Sequence, residues 1–600
     1  MKRNILLFLL IFTISYIGYS QNSNKNSSED MASSNLTRMS QVYYYLNRLY
    51  LDTINYNNVT DRAIAAIVKE LDPHSVFIPA KEVKSMNEPL EGNFSGVGVE
   101  FAIIDDTLTV QAIVQGGPSE QVGILAGDKI LSVDGEKISN TGLTIERVHK
   151  YLRGPEGSKV EIEIARKGEN MPLNFTITRA KIPLNSLDAS YEISPNILYL
   201  KLSRFSATSY EEIMEAVSKY NHDKGIILDL RGNGGGYLVA AIQIANEFLK
   251  KGQLIVYTEG RTVRRMNEYA DGLGALQNAP VVMIIDENSA SASEIVSGAI
   301  QDWDRGTIIG RRSFGKGLVQ QQIPLNDGSQ IRLTVARYHT PSGRVIQSPY
   351  KAGDAEDYYK AFFERYSSKG DIYNMDTLKF PDSLKYNTLV NKRVVYGGGG
   401  IMPDIYMVQD TSFYTKFYGE LIRKGLFVEF VNHFLDNNRN ILSKKYKTYD
   451  SFVSGFNPQE NLDKEYLCTI ADNNKNNKDS ANSAGNMNNT NNVTIANSNP
   501  NNASSAGNMN NTNNVTIANS NESNFVKASN ANKTLFDLFI DYSVSKGIKH
   551  TEQDILTSGP QINKYLKALV LKGLFDFNQF IKFLNTDDEE VLKALEVIKK

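Results

Sequence analysis

The sequence predicts a multidomain α/β protein on three observations. From Ile182 to about Asp410, apolar runs that read as strands alternate with helical patterns, which implies a β-sheet flanked by helices. From Gly92 to about Lys181, short alternating strands are separated by glycine turns, the pattern of a smaller inserted β-domain. On either side, Leu36 to Ile67 and the text after Thr415 carry helical apolar spacing. A length of 600 residues leaves room for about four domains. With 41% hydrophobic residues and a net charge of −2, the chain fits a globular protein and argues against nucleic acid as its main partner. Substrate selection then rests on shape and local groups.

At the N-terminus, Met1-Lys2-Arg3, the apolar run Ile5 to Ile17 and Gly18-Tyr19-Ser20-Gln21 read as a secretory signal peptide over 1–20. The run is short of the roughly 20 apolar residues of a membrane span, so export is the reading and an uncleaved anchor is its alternative. Cys468 is the only cysteine, so no intrachain disulfide can form, and no cysteine follows the run to carry a lipid. The polar stretch Asn22 to Asn35 reads as a leader. Val42, Leu46, Leu49 and Tyr50 then fall on one side of a helix, giving a leader and N-terminal helical region over 21–91. His74, in an Asp-Pro turn, reads as structural.

The β-domain, 92–181, shows strands at Val97–Phe101, Leu108–Val110, Lys129–Val133 and Val160–Ile164, and a helix at Thr144–Leu152. With Gly116-Gly117-Pro118-Ser119, Ala126-Gly127-Asp128-Lys129-Ile130 and Val133-Asp134-Gly135, it resembles a PDZ domain. The resemblance implies that Gly96, Val97, Gly98 and Val99 bind a terminal carboxylate through backbone N–H groups, with the peptide added as an extra strand. The alternative is a spacer. Arg153, in the turn Arg153-Gly154-Pro155-Glu156-Gly157, could hold the tail or pair with an acid when the groove is empty, so that the domain gates activity.

In the core, 182–410, strands are expected at Ile226–Leu230, Leu254–Tyr257, Val281–Ile285, Ile308–Ile309 and Gln330–His339, with helices at Tyr237–Lys250 and Ser293–Ile300. Ser291 thus falls at a strand-to-helix turn, where amide N–H groups and the helix dipole can stabilise an oxyanion. The plain alternative is a helix N-cap. Lys316, between Gly315 and Gly317, becomes a base if burial lowers its pKa, and Gln320 lies four positions on, within reach if the stretch turns helically. Two nucleotide motifs nearly match and fail. Gly317 stands where a phosphate-binding loop needs Ser or Thr, and Tyr237 stands where a dinucleotide fingerprint needs glycine.

Six segments occur in order: Leu71-Asp72-Pro73-His74-Ser75, Asp229 to Gly236, Ser289 to Glu294, Gly315-Lys316-Gly317 with Gln320, Thr340 to Arg344, and Gly400 to Asp404. On these, and on the 25-position spacing of Ser291 and Lys316, the chain resembles the carboxyl-terminal processing, or tail-specific, proteases. The resemblance covers roughly Leu36 to Asp410 and implies a ClpP/crotonase-like serine protease core. It also implies that Ser291 is the nucleophile, Lys316 the general base and Gln320 the residue holding the lysine. The oxyanion hole maps to backbone N–H of Ala292 and of one glycine in Gly234–Gly236, here assigned to Gly235. No metal or cofactor is implied, and His339 is not needed as a base. The expected partners are unfolded or C-terminally flagged proteins, with an adaptor or a homo-oligomer as further options, and the expected compartment is the bacterial periplasm. The rivals are a catalytically silent PDZ scaffold, which would lack one of these residues, and a crotonase-like acyl-CoA enzyme, which the signal peptide and PDZ text oppose.

Helical text fills 411–472 and 525–600. Between them an Asn-rich insert, 473–524, repeats Ser483–Asn499 letter for letter as Ser505–Asn521. Such a tract has too few apolar residues to fold alone, so the helices on each side are expected to pack together.

Overall fold

Gly225–Asp229 and Val281–Ile285 are buried along their whole lengths, as strands covered on both sheet faces must be. The computed structural model, which describes residues 27–367, 370–373, 380–460 and 533–600, places them at the centre of a six-stranded sheet. Its order is Leu187–Ser194, Ile197–Leu202, Gly225–Asp229, Val281–Ile285, Thr307–Gly310 and Ile405–Tyr406. The last five run parallel, and the first is antiparallel to its neighbour. The hairpin made by the first two was not expected from sequence. Its turn passes through Asn196 at φ 65°, a conformation asparagine tolerates. On one face the sheet buries the helices Ser209–Lys219, Leu238–Phe248 and Ala292–Asp302. On the other, Val591 and Ala594 of the helix Glu589–Ile598 pack against Ile227, Val282, Ile284 and Ile309.

A second, antiparallel sheet holds Val76–Ile78, Gln330–His339, Leu254–Glu259 and Met266–Tyr269, with Leu318–Pro324 also paired to Gln330–His339. The β-domain is a sheet of Val99–Ile104, Thr107–Ile113, Lys129–Val133, Lys159–Ala165 and Leu173–Thr178, closed by the helix Ile145–Leu152. Its entrance and exit strands, Asn93–Gly96 and Ala180–Pro183, pair with each other. The single strand expected over Val97–Phe101 is broken in two. Gly98 sits at φ +77°, where a Cβ would also stand 3.0 Å from Ile182, so the chain turns there before the domain sheet begins.

The chain divides into two compact units between Leu71 and Asp72. In the first, the described residues form the helices Ser27–Leu49 and Tyr56–Lys69, the second capped by Asn55 accepting from Asn58 N–H. The first helix starts inside the stretch expected to be a leader, because its Glu, Met, Ala and Leu residues are good helix formers despite the polar composition. The expected signal peptide, 1–20, and the Asn-rich insert, 473–524, lie outside the described residues. The helices Leu426–Lys445, Tyr449–Gly455, Leu535–Ser545 and Glu552–Leu574 share one apolar cluster that includes Phe427, Phe434, Phe452, Phe539 and Leu566.

Candidate active site

Ser291 is the N-cap of Ala292–Asp302, at φ 57° and ψ −111°. A non-glycine residue holds that conformation only where its surroundings over-determine it, and such strain collects at functional turns. Three bonds tie this turn to the glycine-rich turn after Gly225–Asp229. Ser289 Oγ donates to Leu230 O (2.8 Å), Ala290 N–H to Asn233 O (3.0 Å) and Ser293 Oγ to Asn233 O (2.8 Å). Ser291 itself stays half-exposed at the head of a buried helix.

Lys316 Nζ donates to Gln320 Oε1 at 3.0 Å. Part of the lysine surface still meets solvent, but its ammonium end is enclosed. Burial, aided by the Arg332 guanidinium and opposed by Asp72 and Glu294, lowers its pKa to about 8. The expected partner is therefore in place, and the expected helical turn is not. Gln320 lies on the strand Leu318–Pro324, at a register shift between Val319 and Gln320, and a bulge of this kind re-aims a side chain.

Gln320 Nε2 in turn donates to the carbonyl of His74. His74 lies in a turn that Asp72 Oδ1 organises by accepting from His74 N–H and Ser75 N–H, both at 2.8 Å. Thr334 Oγ1 also donates to Asp72 Oδ1 (3.0 Å), which fixes the turn against the strand facing Gln320. Burial and the nearby Lys316, against Asp72, depress the His74 imidazole to about 3. The side chain stays neutral while the main chain orients the glutamine. That role is invisible in the motif.

Two further groups escaped the sequence reading. Fully buried Glu294 accepts from Ser291 N–H (2.7 Å) and Lys316 N–H (2.9 Å) on one oxygen, and from Gly315 N–H (2.7 Å) and Ser313 Oγ (2.5 Å) on the other. Burial outweighs these bonds and raises its carboxyl to about 7. Tyr338, also buried, places its hydroxyl 2.6 Å from Lys316 O and 3.1 Å from Ser291 O, so its one proton is shared between the two main chains, chiefly with Lys316. One carboxylate and one phenol thus join the two segments. The acid three places after a helix N-cap is a capping signal and could have been read; the tyrosine, far away in sequence, could not. His339, next along the strand, turns the other way and stacks on Tyr257 at 4.4 Å.

Gly235 lies against the serine. An added Cβ would stand 2.8 Å from Ser291 Cβ and 3.0 Å from Ala292 N. Its N–H, however, already donates to Asn233 Oδ1 (2.9 Å), so the donor assigned to Gly235 is engaged within its own turn. Ala292 N–H heads the helix beside it. In the β-domain, Gly96 ends one strand and Val99 starts the next, while Val97 O accepts from Ser119 N–H (3.0 Å) and Ser119 Oγ (2.7 Å), and Gly98 O from Val114 N–H (3.1 Å). Val99–Ile104 is an edge strand beside the helix Ile145–Leu152, with Phe101 and His149 in edge contact at 6.1 Å.

Comparison with known proteins bears on this arrangement. The family model described as Peptidase family S41 matches residues 196–356, and one described as PDZ domain matches 109–166. A third, Family of unknown function (DUF8443), matches 417–499. A carboxy-terminal-processing protease of Bartonella bacilliformis is 35% identical over 356 residues, 58% of this chain and 81% of that one. A probable CtpA-like serine protease of Staphylococcus aureus is 33% identical over 385 residues, 64% of this chain and 75% of that one. Among solved structures, the photosystem II D1 C-terminal processing protease aligns at 26% identity and a TM-score of 0.30, covering 61% of this chain and 85% of that one. The fold is accordingly an S41 peptidase domain carrying a PDZ domain, with a helical C-terminal region, and the chain is a serine-type peptidase. It belongs to the carboxy-terminal-processing proteases of peptidase family S41.

Proposed function

We propose that this chain is an exported endopeptidase that captures protein C-termini in its PDZ groove and cleaves through a Ser291–Lys316 dyad. The observation that carries the reading is the joint anchoring of both residues. Ser291 and Lys316 share the Glu294 carboxylate and the Tyr338 hydroxyl, while Gln320 receives the lysine ammonium. Neutral Lys316 accepts the Ser291 Oγ proton as the oxygen attacks the scissile carbonyl. Ala292 N–H takes the developing oxyanion, and Gly235 N–H joins it by leaving Asn233 Oδ1. The protonated lysine then gives its proton to the leaving amine. Water, deprotonated by the same lysine, hydrolyses the Ser291 ester and frees the enzyme. The tail, held on Val99–Ile104 with its carboxylate at Gly96–Val99, raises the effective concentration of the scissile bond. Export rests on the N-terminal sequence pattern, which also favours the periplasm as the compartment.

Ser291→Ala tests the nucleophile. The expected outcome is a loss of turnover on the order of 10⁴-fold with tail-peptide affinity unchanged, because alanine removes only the hydroxyl. Retained turnover rejects the assignment.

A further inference from the structure

Arg231 opens the glycine-rich turn, two residues after Asp229. Its Nε and Nη2 fork the buried Asp229 carboxylate at 2.6–3.1 Å. The remaining nitrogen, Nη1, reaches 357 and 359 positions along the chain, to Asp588 (2.8 and 3.1 Å) and Glu590 (2.7 Å). The other Glu590 oxygen accepts from Arg311 Nη1 at 2.5 Å, and Arg311 Nε donates to Glu287 at 2.7 Å. Glu287 lies four residues before Ser291. The turn that presents Gly235 and the loop that presents Ser291 therefore meet, through two arginines, at one acidic pair.

That pair belongs to the start of Glu589–Ile598, where Asp588 is the N-cap and accepts from Val591 N–H at 2.9 Å. The helix has an independent means of docking in Val591 and Ala594, which pack on the central strands. The carboxylates do something else. Arg311 and Glu590 are buried and Arg231 nearly so, and neutralising one partner of a buried pair leaves the other charge uncompensated. Asp229 serves only one side of Arg231, and Glu287 only one nitrogen of Arg311.

We propose that Asp588 and Glu590 are positioning residues for proteolysis, a clamp by which the C-terminal helix sets the spacing of the glycine turn and the Ser291 loop. Each acts through an arginine and touches no substrate. The inference rests on the Ser291–Lys316 reading above. Its consequence is that a neutral but isosteric pair leaves the helix docked and the two loops misplaced.

The test uses the full chain with Glu590→Gln, the double variant Asp588→Asn/Glu590→Gln, a control Glu589→Gln at an exposed position, and Val591→Ala, which loosens the apolar docking alone. Asparagine still caps the helix. For each protein, the thermal midpoint, kcat and KM on an unfolded substrate, and the rate of Ser291 labelling by a fluorophosphonate are measured well below every midpoint. The clamp requires kcat and labelling to fall together by about tenfold or more in the double variant, with KM within about twofold, while Val591→Ala lowers the midpoint and keeps kcat. Glu590→Gln is expected to fall part of the way and decides the matter should the double variant not fold. A carboxamide variant that is folded and fully active overturns the clamp, as does a Val591→Ala enzyme that loses kcat to the same degree. A parent chain that neither labels nor cleaves would instead overturn the Ser291 reading, and the clamp with it.

Discussion

Lys316 sets the pH dependence of the proposed reaction, because only its neutral form can take the serine proton. With its pKa lowered to about 8 by burial, kcat/KM should rise about tenfold per unit as pH increases toward 8 and level off above it. Glu294 works in the same direction. Below about 7 it gains a proton, and its hold on Ser291 N–H and Lys316 N–H weakens, so the acid side should fall more steeply than one group predicts. His74, depressed to about 3, is neutral throughout and adds no limb. A flat profile between about pH 6 and 9 removes Lys316 from the base role. Lys316→Arg should be as inactive as Lys316→Ala, down on the order of 10⁴-fold, since arginine stays protonated; Gln320→Ala should lose about tenfold, because the lysine remains. At this scale the sequence displays Ser291, Lys316 and Gln320 because each sits in a short local motif. It hides Tyr338 and the His74 carbonyl because their roles come from contacts 47 and 246 positions apart. The motif places Gln320 beside the lysine, while the local geometry differs from the helical turn that the four-residue spacing suggests: a strand bulge brings the two together.

The helix Ala80–Glu91 links the PDZ groove to the lysine. Arg153, at the C-cap of the groove helix, pairs with buried Glu88 at 2.5 Å and lies over the Phe94 ring at 4.6 Å. The same helix follows Val76–Ile78 and the Asp72–Ser75 turn whose His74 carbonyl holds Gln320. An ion pair with one buried member is costly to break by removing its partner. Under the proposed function, a tail carboxylate that drew Arg153 away from Glu88 would act on an element continuous with the turn that holds Gln320. A short non-cleavable C-terminal peptide is expected to stimulate cleavage of a second substrate severalfold before competing at high dose, and amidating its carboxylate should abolish the stimulation. Arg153→Ala should change that response while leaving fluorophosphonate labelling of Ser291 intact. Pure competition at every dose leaves the groove as a passive tether. Val281–Ile285, an unbroken apolar run, and Lys129–Val133 and Gln330–His339, which mix apolar and polar residues, fall where expected. The hairpin Leu187–Leu202 is legible after the fact: Leu187, Ala189, Tyr191 and Ile193 alternate with Asp188, Ser190, Glu192 and Ser194, the pattern of a half-buried strand, and Ile197–Leu202 is an apolar run of strand length. The break at Gly98 rests on a positive φ that glycine permits but the residue pattern does not require.

Across the whole molecule, the two halves of the helical C-terminal region meet directly. Phe536 N–H donates to Pro458 O at 3.0 Å, and Phe452 and Phe456, before the insert, lie in one cluster with Leu535, Leu538 and Phe539, after it. The chain ends that leave and rejoin this cluster are therefore already side by side, and they need no particular length between them. The repeated Asn-rich sequence offers almost no apolar surface to add to that core. Removing 473–524 shortens the connection between Glu460 and Lys533 from about 70 to about 20 residues, which changes the entropy of closing it by about 1 kcal/mol in favour of the folded chain. Spread over a protein of this size, that is a shift of about 1–2 °C. The deletion should thus melt within about 2 °C of the parent, slightly above it, with kcat and KM on an unfolded substrate unchanged. Glu589–Ile598 gives the experiment its edge, since the helix packs on the central sheet and its head carries Asp588 and Glu590. A deletion that displaced Asp588 and Glu590 should reach the active site through Arg231 and Arg311. A midpoint lowered by more than about 5 °C, or a kcat that falls with it, would show that the insert is part of the packed structure.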